Sequence, residues 1–190
     1  MEPAGTLPEL VGDKEAIVNL TLTGYLNGTD IKFIRSLTNL QRLDISGARI
    51  VEGGDKYYEN YLTADDVTGD YMFYNLPNLT RLVLSNHTTE IAPAALNSCT
   101  GLTEMEIPAS VKSVGKAVFN GCNQLLLIDW NAQATITAES FDTPAKMGNL
   151  LIFAPEGAEC TYEGNVVIGG IAEKITLTHG KGFRAPQPFK

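Results

Sequence analysis

The chain has 190 residues, of which 44% are hydrophobic, and it carries a formal net charge of −8. This composition predicts a soluble globular chain of one or at most two domains, long enough to bury a continuous core. The 14 Lys and Arg are scattered among 22 Asp and Glu, which argues against a nucleic-acid partner. The sequence has no run of about 18 apolar residues, so it predicts no membrane-spanning helix.

The first third of the chain predicts a strand followed by a helix. Residues 1–16, rich in Pro, Gly and charged side chains, predict an irregular lead-in that shields the unit after it. Apolar alternation over Ile17–Leu22 predicts a strand whose alternate residues face inward. The stretch Asp30–Ser36 predicts a short helix with Asp30 as its N-cap.

A 23-residue repeat organises the middle of the chain. Two consecutive copies place apolar residues at relative positions 0, 3, 6, 9 and 11, and the paired residues are Leu96 and Phe119, Cys99 and Cys122, Leu102 and Leu125, Met105 and Ile128, and Ile107 and Trp130. The other copies begin at Val11, Ile34, Phe73 and Phe141. A repeat of this size predicts a solenoid in which each coil buries its apolar side against its neighbours.

One interval of this frame is 39 residues instead of 23, because residues 51–72 form an insertion. The insertion holds four of the seven tyrosines and six carboxylates, which do not follow the spacing of a calcium-binding loop. Loops on a rigid scaffold concentrate binding residues, and tyrosine supplies stiff, amphipathic contact area. The candidate anchors are Tyr57, Tyr58 and Tyr61. Alternatively, the tyrosines pack the insertion against the flank of the solenoid.

The outward positions of the predicted strands form a second candidate surface. Because strand side chains alternate, residues at relative positions 8, 10 and 12 face away from the core, including Ser85 and Pro108. The candidate binding residues on this sheet face are Arg42, Asp44, Arg81, Glu104, Glu106 and Asp129. The face is either a concave recognition surface or ordinary solvated sheet, with its apolar end covered by the C-terminal segment. We expect the insertion to fold toward Arg42 and Arg81.

The three cysteines predict no catalytic site. Cys99 and Cys122 occupy the same slot in consecutive coils, whose backbones lie about 4.8 Å apart. That spacing permits a disulfide, but the Cβ vectors run parallel, so we expect two buried free thiols. Cys160 has no histidine near it in sequence.

No enzyme motif stands out in the chain. A nucleophile elbow and a phosphate-binding loop are missing, and the two histidines lack paired-ligand spacing, so we predict no cofactor and no metal site. Glu104 and Glu106 lie about 6 to 7 Å apart on an exposed strand face. Neither is desolvated enough to act as a general acid.

The pattern changes near the C-terminus. Val166–Ile168 and Ile175–Leu177 predict a β-hairpin that caps the open end of the core, followed by an extended linker. The predicted domains are a lead-in (1–16), a solenoid (17–155) with the insertion 51–72, and a hairpin cap with linker (156–190).

The repeat unit itself resembles a known family. The stretch Phe119–Leu125, preceded by Ile107–Val118, is similar to the BspA-type leucine-rich repeat of surface proteins of anaerobic bacteria. The resemblance covers roughly residues 11–155 and is strongest over 73–141; it departs at Leu96, at Trp130 and in the insertion. It implies an α/β solenoid of about six to seven coils of 22–23 residues, with short parallel strands, short helices and a small C-terminal β cap.

The resemblance also implies a location and two functions. Proteins of this kind are exported, so we expect an extracellular or cell-surface location, with the signal peptide already removed. One hypothesis is a non-enzymatic adhesion module that binds a protein or glycan through the sheet face and the Tyr-rich insertion. The other is a structural spacer that displays neighbouring domains without its own ligand. The ligand and the oligomeric state stay open.

Overall fold

The computed structural model describes residues 3–132, 134, 136–141, 150–153 and 162–163. Two α-helices, α1 (Leu7–Leu10) and α2 (Gly28–Arg35), and two 3₁₀ turns at Lys14–Ala16 and Ala138–Ser140 lie in these residues. The strands are β1 (Asn19–Leu26), β2 (Arg42–Ile50), β3 (Gly53–Tyr58), β4 (Tyr61–Thr63), β5 (Val67–Thr68), β6 (Arg81–Val83), β7 (Glu90–Ile91), β8 (Glu104–Ile107), β9 (Ser113–Val114), β10 (Leu127–Trp130), β11 (Ile136–Thr137), β12 (Leu151–Phe153) and β13 (Tyr162–Glu163).

The main sheet confirms the predicted solenoid. Six parallel strands stack in the order β1-β2-β6-β8-β10-β12, which encloses about five turns of the chain. Arg81 pairs with Glu104, and Glu104 pairs with Leu127, so residues one repeat apart lie side by side. Arg42 pairs with Arg81 across the longer interval. The insertion therefore leaves the register of the sheet undisturbed.

The repeat positions predicted to face inward form the core. Leu82, Ile107 and Trp130, one from each of three successive coils, are completely buried. Ser85 and Pro108, predicted to face outward, are buried instead. Both follow the end of their strand, so the strict alternation of strand side chains no longer applies to them.

Helices are few in the described part of the solenoid, where the α-helix that lies within a coil is α2 in the first coil. Outside the main sheet, the later coils use tight turns and a three-stranded parallel sheet of β5, β7 and β9. Residues with positive φ recur at 23-residue intervals in these turns, at Tyr71, Ala94 and Ala117 and again at Asn75, Ser98 and Gly121. Such residues interrupt an α-helix, and their neighbours bond from coil to coil instead: the Ser98 amide donates to the Asn120 carbonyl at 2.7 Å.

The first coil does contain a helix, but α2 starts earlier than predicted. Its N-cap is Asn27, whose side chain accepts from the Thr29 amide at 3.0 Å. Asp30 is not the cap; it occupies the third helical position, where its carboxylate accepts from the Asn27 amide at 2.9 Å. This reciprocal pair satisfies amides that a helix N-terminus leaves without partners.

The first strand also differs from its predicted bounds. Apolar alternation predicted Ile17–Leu22, whereas β1 runs from Asn19 to Leu26. Pairing with β2 continues to Leu26, opposite Ile50, beyond the alternating stretch. Ile17 consequently lies before the strand and is only partly buried against the core.

The insertion forms an antiparallel hairpin of β3 and β4 that packs on α2. Lys32 Nζ lies 2.9 Å from Asp55 Oδ2, and the Asp55 amide donates to Thr29 Oγ1 at 3.0 Å. Gly28 meets the Asp55 carbonyl so closely that a Cβ would not fit between them. The contact between α2 and the hairpin therefore depends on residues of both elements.

The position of this hairpin corrects the expectation that the insertion folds toward Arg42 and Arg81. Ile31 and Ile34 of α2 are buried in the core, whereas Arg42 and Arg81 point outward from the sheet. Side chains of alternate strand positions face opposite ways, so α2 and its hairpin lie across the core from the sheet face.

Part of the C-terminal prediction lies outside the described residues: the hairpin at Val166–Ile168 and Ile175–Leu177, and Cys160. β11 pairs in parallel with β13, with Ile136 opposite Tyr162. None of the helices within the described ranges has the length and apolar character needed to cross a bilayer.

Candidate functional site: the sheet-face groove

Residues of β1, β2 and β6 line a groove of about 300 Å³, which we call the sheet-face groove. Its lining consists of Asn19, Leu20, Thr21, Arg42, Leu43, Asp44, Arg81 and Val83. The groove thus brings together three of the predicted site residues, Arg42, Asp44 and Arg81. Hydrogen bonding between the strands holds their backbones in register.

Arg42 and Arg81 are direct cross-strand neighbours, about 4.8 Å apart at the backbone. Arg81 Nη1 lies 3.4 Å from Glu104 Oε2, and both side chains are 51% exposed, so this ion pair contributes little to stability. The Arg42 amide donates to the Val18 carbonyl at 3.1 Å, but the Arg42 guanidinium makes no hydrogen bond or ion pair with any residue that the structure describes. Among the described residues, the groove therefore holds the Arg42 guanidinium, which has no partner, and the Arg81 guanidinium, which is weakly paired.

Asp44 is the carboxylate of the groove, and its Oδ1 atom is already engaged. It accepts from the Ser46 amide at 2.9 Å and from Ser46 Oγ at 2.6 Å. These bonds hold the Asp44 side chain against its own strand. Asp44 consequently lines the groove but forms no ion pair with Arg42.

The predicted acidic residues extend the same face beyond the groove. Glu106 pairs with Val83 on one side and with Asp129 on the other. Asn131 Nδ2 donates to Glu106 Oε1 at 3.3 Å, whereas Asp129 is exposed. The sheet face thus changes from cationic at β2 and β6 to anionic at β8 and β10. Over the ranges described, no group of three or more His, Cys, Asp or Glu is arranged to hold a metal ion.

The tyrosines of the insertion form a packed cluster on the α2 side. Tyr57 is only 4% exposed, and its hydroxyl donates to the Asp70 carbonyl at 2.8 Å. Tyr57 is therefore a packing residue, which corrects the expectation of an exposed anchor. Tyr58 and Tyr61 are half-buried and lie nearly parallel, with ring centroids 6.4 Å apart. They retain surface for contact with a ligand.

Arg35 joins this cluster to the first coil, and sequence reasoning did not identify it. Its Cζ lies 4.6 Å above the Tyr58 ring, and its Nη1 donates to the carbonyls of Tyr71, Met72 and Tyr74 at 2.8 to 3.2 Å. Burial lowers the pKa of Arg35 and raises the pKa of Tyr57. The only sequence signal was a basic residue in the last turn of a helix, where cations are generally favoured.

Cys99 and Cys122 are buried free thiols, as the sequence predicts, and do not bridge each other. Cys99 Sγ donates to the Phe73 carbonyl at 2.9 Å, and Cys122 Sγ donates to the Leu96 carbonyl at 3.3 Å. Each thiol thus satisfies a carbonyl of the preceding coil. Burial raises the pKa of Cys99 to about 11, so little reactive thiolate forms near neutral pH.

Comparison with known families agrees with this architecture. A family described as "BspA type Leucine rich repeat region" matches residues 66–153 in six copies. No curated protein matches the chain. Repeats of this type indicate a protein-interaction or surface module. With its parallel stacked coils, the chain contains a BspA-type leucine-rich repeat region over residues 66–153.

Proposed function

We propose that the protein is a non-enzymatic adhesion module, exported to the cell surface, that binds a protein or glycan through the sheet-face groove. One observation carries the proposal: Arg42 extends from a rigid six-stranded sheet into the groove without a partner among the described residues. The association of the repeat family with surface proteins supports the location.

The rigidity of the scaffold suits a binding role. Parallel pairing runs through every strand of the main sheet, so the groove residues need little ordering when a ligand arrives. Binding sites that are already ordered lose less conformational entropy on association. Glu104, Glu106 and Asp129 extend the proposed contact surface along the same face.

Tyr58 and Tyr61 provide a second, smaller contact surface on the α2 side. Their half-buried rings are held by neighbouring aromatic residues and by Arg35. Rings held in this way offer contact area at little entropic cost. Tyr57 does not belong to this surface because its side chain is buried.

The test uses a substitution that fills the groove without changing charge. Val83→Trp places a large ring among the groove residues, and Ser113→Trp is its matched control at an exposed position of β9 in the three-stranded sheet. Immobilised protein is presented with a panel of purified extracellular matrix proteins and with a glycan array.

We expect the wild type and Ser113→Trp to capture the same ligand and Val83→Trp to lose it. A cooperative thermal unfolding transition in all three proteins shows that each is folded. Capture that survives Val83→Trp would place the site elsewhere on the molecule. A wild-type protein that captures nothing from either panel would favour the structural spacer.

A further inference from the structure

We propose that Arg42 and Arg81 bind carboxylate side chains of an extended acidic peptide lying across the sheet-face groove. The inference rests on the proposed binding function and assigns the chemistry of its ligand. The ligand is a segment of a protein partner in which Asp or Glu alternates with small residues.

The placement of the two arginines is the first argument. They are opposite each other in a parallel ladder, where like charges about 4.8 Å apart repel and destabilise the sheet. The chain has few cations to place, 14 against 22 acidic residues, yet two of them adjoin in one groove. An anion between the two guanidinium groups would offset this repulsion.

The unused hydrogen-bond donors of the Arg42 and Arg81 side chains are the second argument. Arg42 has five N–H donors, none of which is used by a described residue, and Arg81 has only the long contact of 3.4 Å with Glu104. Asp44, the carboxylate that lines the groove, is held by Ser46. The guanidinium groups are therefore available for the two parallel hydrogen bonds that a carboxylate accepts from arginine.

The lining of the groove favours a peptide over a sugar. None of the residues that line it is aromatic, whereas sugar-binding surfaces commonly present a ring for stacking. Asn19 and Thr21 instead offer an amide and a hydroxyl to a polar main chain. Alternate side chains of an extended peptide lie about 6.6 Å apart on one face, a spacing that two neighbouring arginine side chains can span.

The Arg–carboxylate contacts, and not the overall charge of −8, set the expected salt dependence. Arg–carboxylate contacts at an exposed groove weaken as salt screens them, even though screening also reduces the general repulsion between the acidic protein and an acidic peptide. Binding that depends on the arginines therefore decreases between low and moderate ionic strength.

The experiment measures the affinity of fluorescein-labelled peptides by anisotropy at low ionic strength. One peptide alternates Glu with Ser, and its partner replaces each Glu by Gln. An oligosaccharide of uronic acids serves as the anionic glycan. The protein variants are Arg42→Gln, Arg81→Gln and Arg42→Lys, and Lys112→Gln is the control that removes one exposed positive charge outside the groove.

We expect the Glu peptide to bind the wild type and the Gln peptide to bind about tenfold more weakly or not at all. Arg42→Gln and Arg81→Gln each weaken Glu-peptide binding by about fivefold or more, and Lys112→Gln weakens it by less than about twofold. The affinity of Arg42→Lys for the Glu peptide falls between those of the wild type and Arg42→Gln, because lysine keeps the charge but lacks the planar fork of the guanidinium group.

The inference is overturned if the wild type does not bind the Glu peptide, if the Gln peptide binds equally well, or if Arg42→Gln matches the wild type. Arginine-dependent binding of the uronic acid oligosaccharide without binding of the peptide also overturns it, in favour of a glycan. If Val83→Trp abolishes capture of a ligand but Arg42→Gln and Arg81→Gln do not weaken it, the proposed function stands and this inference fails.

Discussion

Asp30 is a fully buried carboxylate that ties the N-terminal lead-in to the first coil. Besides the Asn27 amide, it accepts from the Gly5 amide at 2.6 Å and from the Leu7 amide at 2.9 Å. The three backbone amides therefore share the Asp30 carboxylate as their acceptor group. The residue therefore closes the N-terminal end of the core through hydrogen bonds, since the first coil has no preceding coil in the described residues to pack on.

Removing the Asp30 carboxylate should be costly. Asp30→Ala leaves several buried amides without their acceptor, and we expect it to lower the free energy of unfolding by about 3 to 5 kcal/mol. Asp30→Asn keeps one oxygen acceptor and should cost less. Urea denaturation followed by far-UV circular dichroism measures both changes. An Asp30→Ala protein as stable as the wild type would show that the lead-in does not depend on this carboxylate.

Gly121 occupies a backbone position that disfavours a side chain. Its φ is +76°, and a Cβ there would lie 3.1 Å from Ser98 Cα in the preceding coil. We expect Gly121→Ala to lower the free energy of unfolding by about 1 to 3 kcal/mol, from strain and crowding together. Gly12→Ala is the matched control, because nothing lies within 4 Å of a Cβ at Gly12. Equal melting temperatures for the two variants would contradict this.

Two buried side chains should make the protein sensitive to alkali. Burial raises the pKa of Cys99 from 9.0 to about 11 and also raises the pKa of Tyr57. The folded state therefore holds these protons more tightly than the unfolded state. The stabilising contribution of Cys99 is complete below about pH 9 and is lost as pH rises through about 11.

We accordingly expect the urea midpoint to fall between about pH 8 and pH 10.5. Cys99→Ala should show a smaller fall over the same interval, because it removes one of the groups whose pKa is raised. The measurement contradicts the assignment if the midpoint is independent of pH, or if the variant and the wild type lose stability equally.

At the scale of elements, the insertion is a hairpin anchored to α2 by buried and half-buried rings. Tyr57 is the buried anchor, and Arg35 links α2 to the backbone of residues 71–74. The hairpin owes its position to these contacts, because an isolated two-stranded hairpin is only marginally stable in water.

Tyr57→Ala should therefore destabilise the protein by about 3 to 5 kcal/mol through the cavity it leaves. Tyr61→Ala, at a half-buried ring, should cost clearly less. Chemical denaturation gives both values, and peptide binding at the sheet-face groove should be unchanged in either variant while it is folded. If Tyr57→Ala proved as stable as Tyr61→Ala, the ring of Tyr57 would not be the anchor of the hairpin.

At the scale of the molecule, each coil packs on its neighbours, so a defect in one coil is felt in the next. Leu82 lies in β6 and is fully buried, and the chain has a single tryptophan, Trp130, buried in β10. Leu82→Ala should cost about 2 to 5 kcal/mol by creating a cavity. Met105→Leu, which nearly conserves volume, should cost less than about 1.5 kcal/mol.

The response to Leu82→Ala also tests cooperativity between coils. We expect the unfolding curve from Trp130 fluorescence to shift together with the curve from circular dichroism, because the described coils share one core. A Trp130 transition that stays at its wild-type position while the dichroism curve shifts would show that the coils unfold independently.

The sequence alone determined the solenoid, its register and its core positions. The reason is that a 23-residue period brings residues such as Arg81, Glu104 and Leu127 side by side in whatever way the connecting turns are built. The alternation of strand side chains then placed Leu82 inward and Arg81 outward. The resemblance of the repeat to the BspA type followed from the same periodic residues.

Only the tertiary structure decided which side of the solenoid the insertion occupies and how the coils turn. Arg35 meets the carbonyl of Tyr71 across 36 residues of chain, and no local pattern encodes a contact of that separation. The turns around Ser98 are stabilised by bonds from one coil to the next, which override helical preference. Local periodicity specified the strands, whereas the packing of neighbouring coils and of the hairpin on α2 decided the rest.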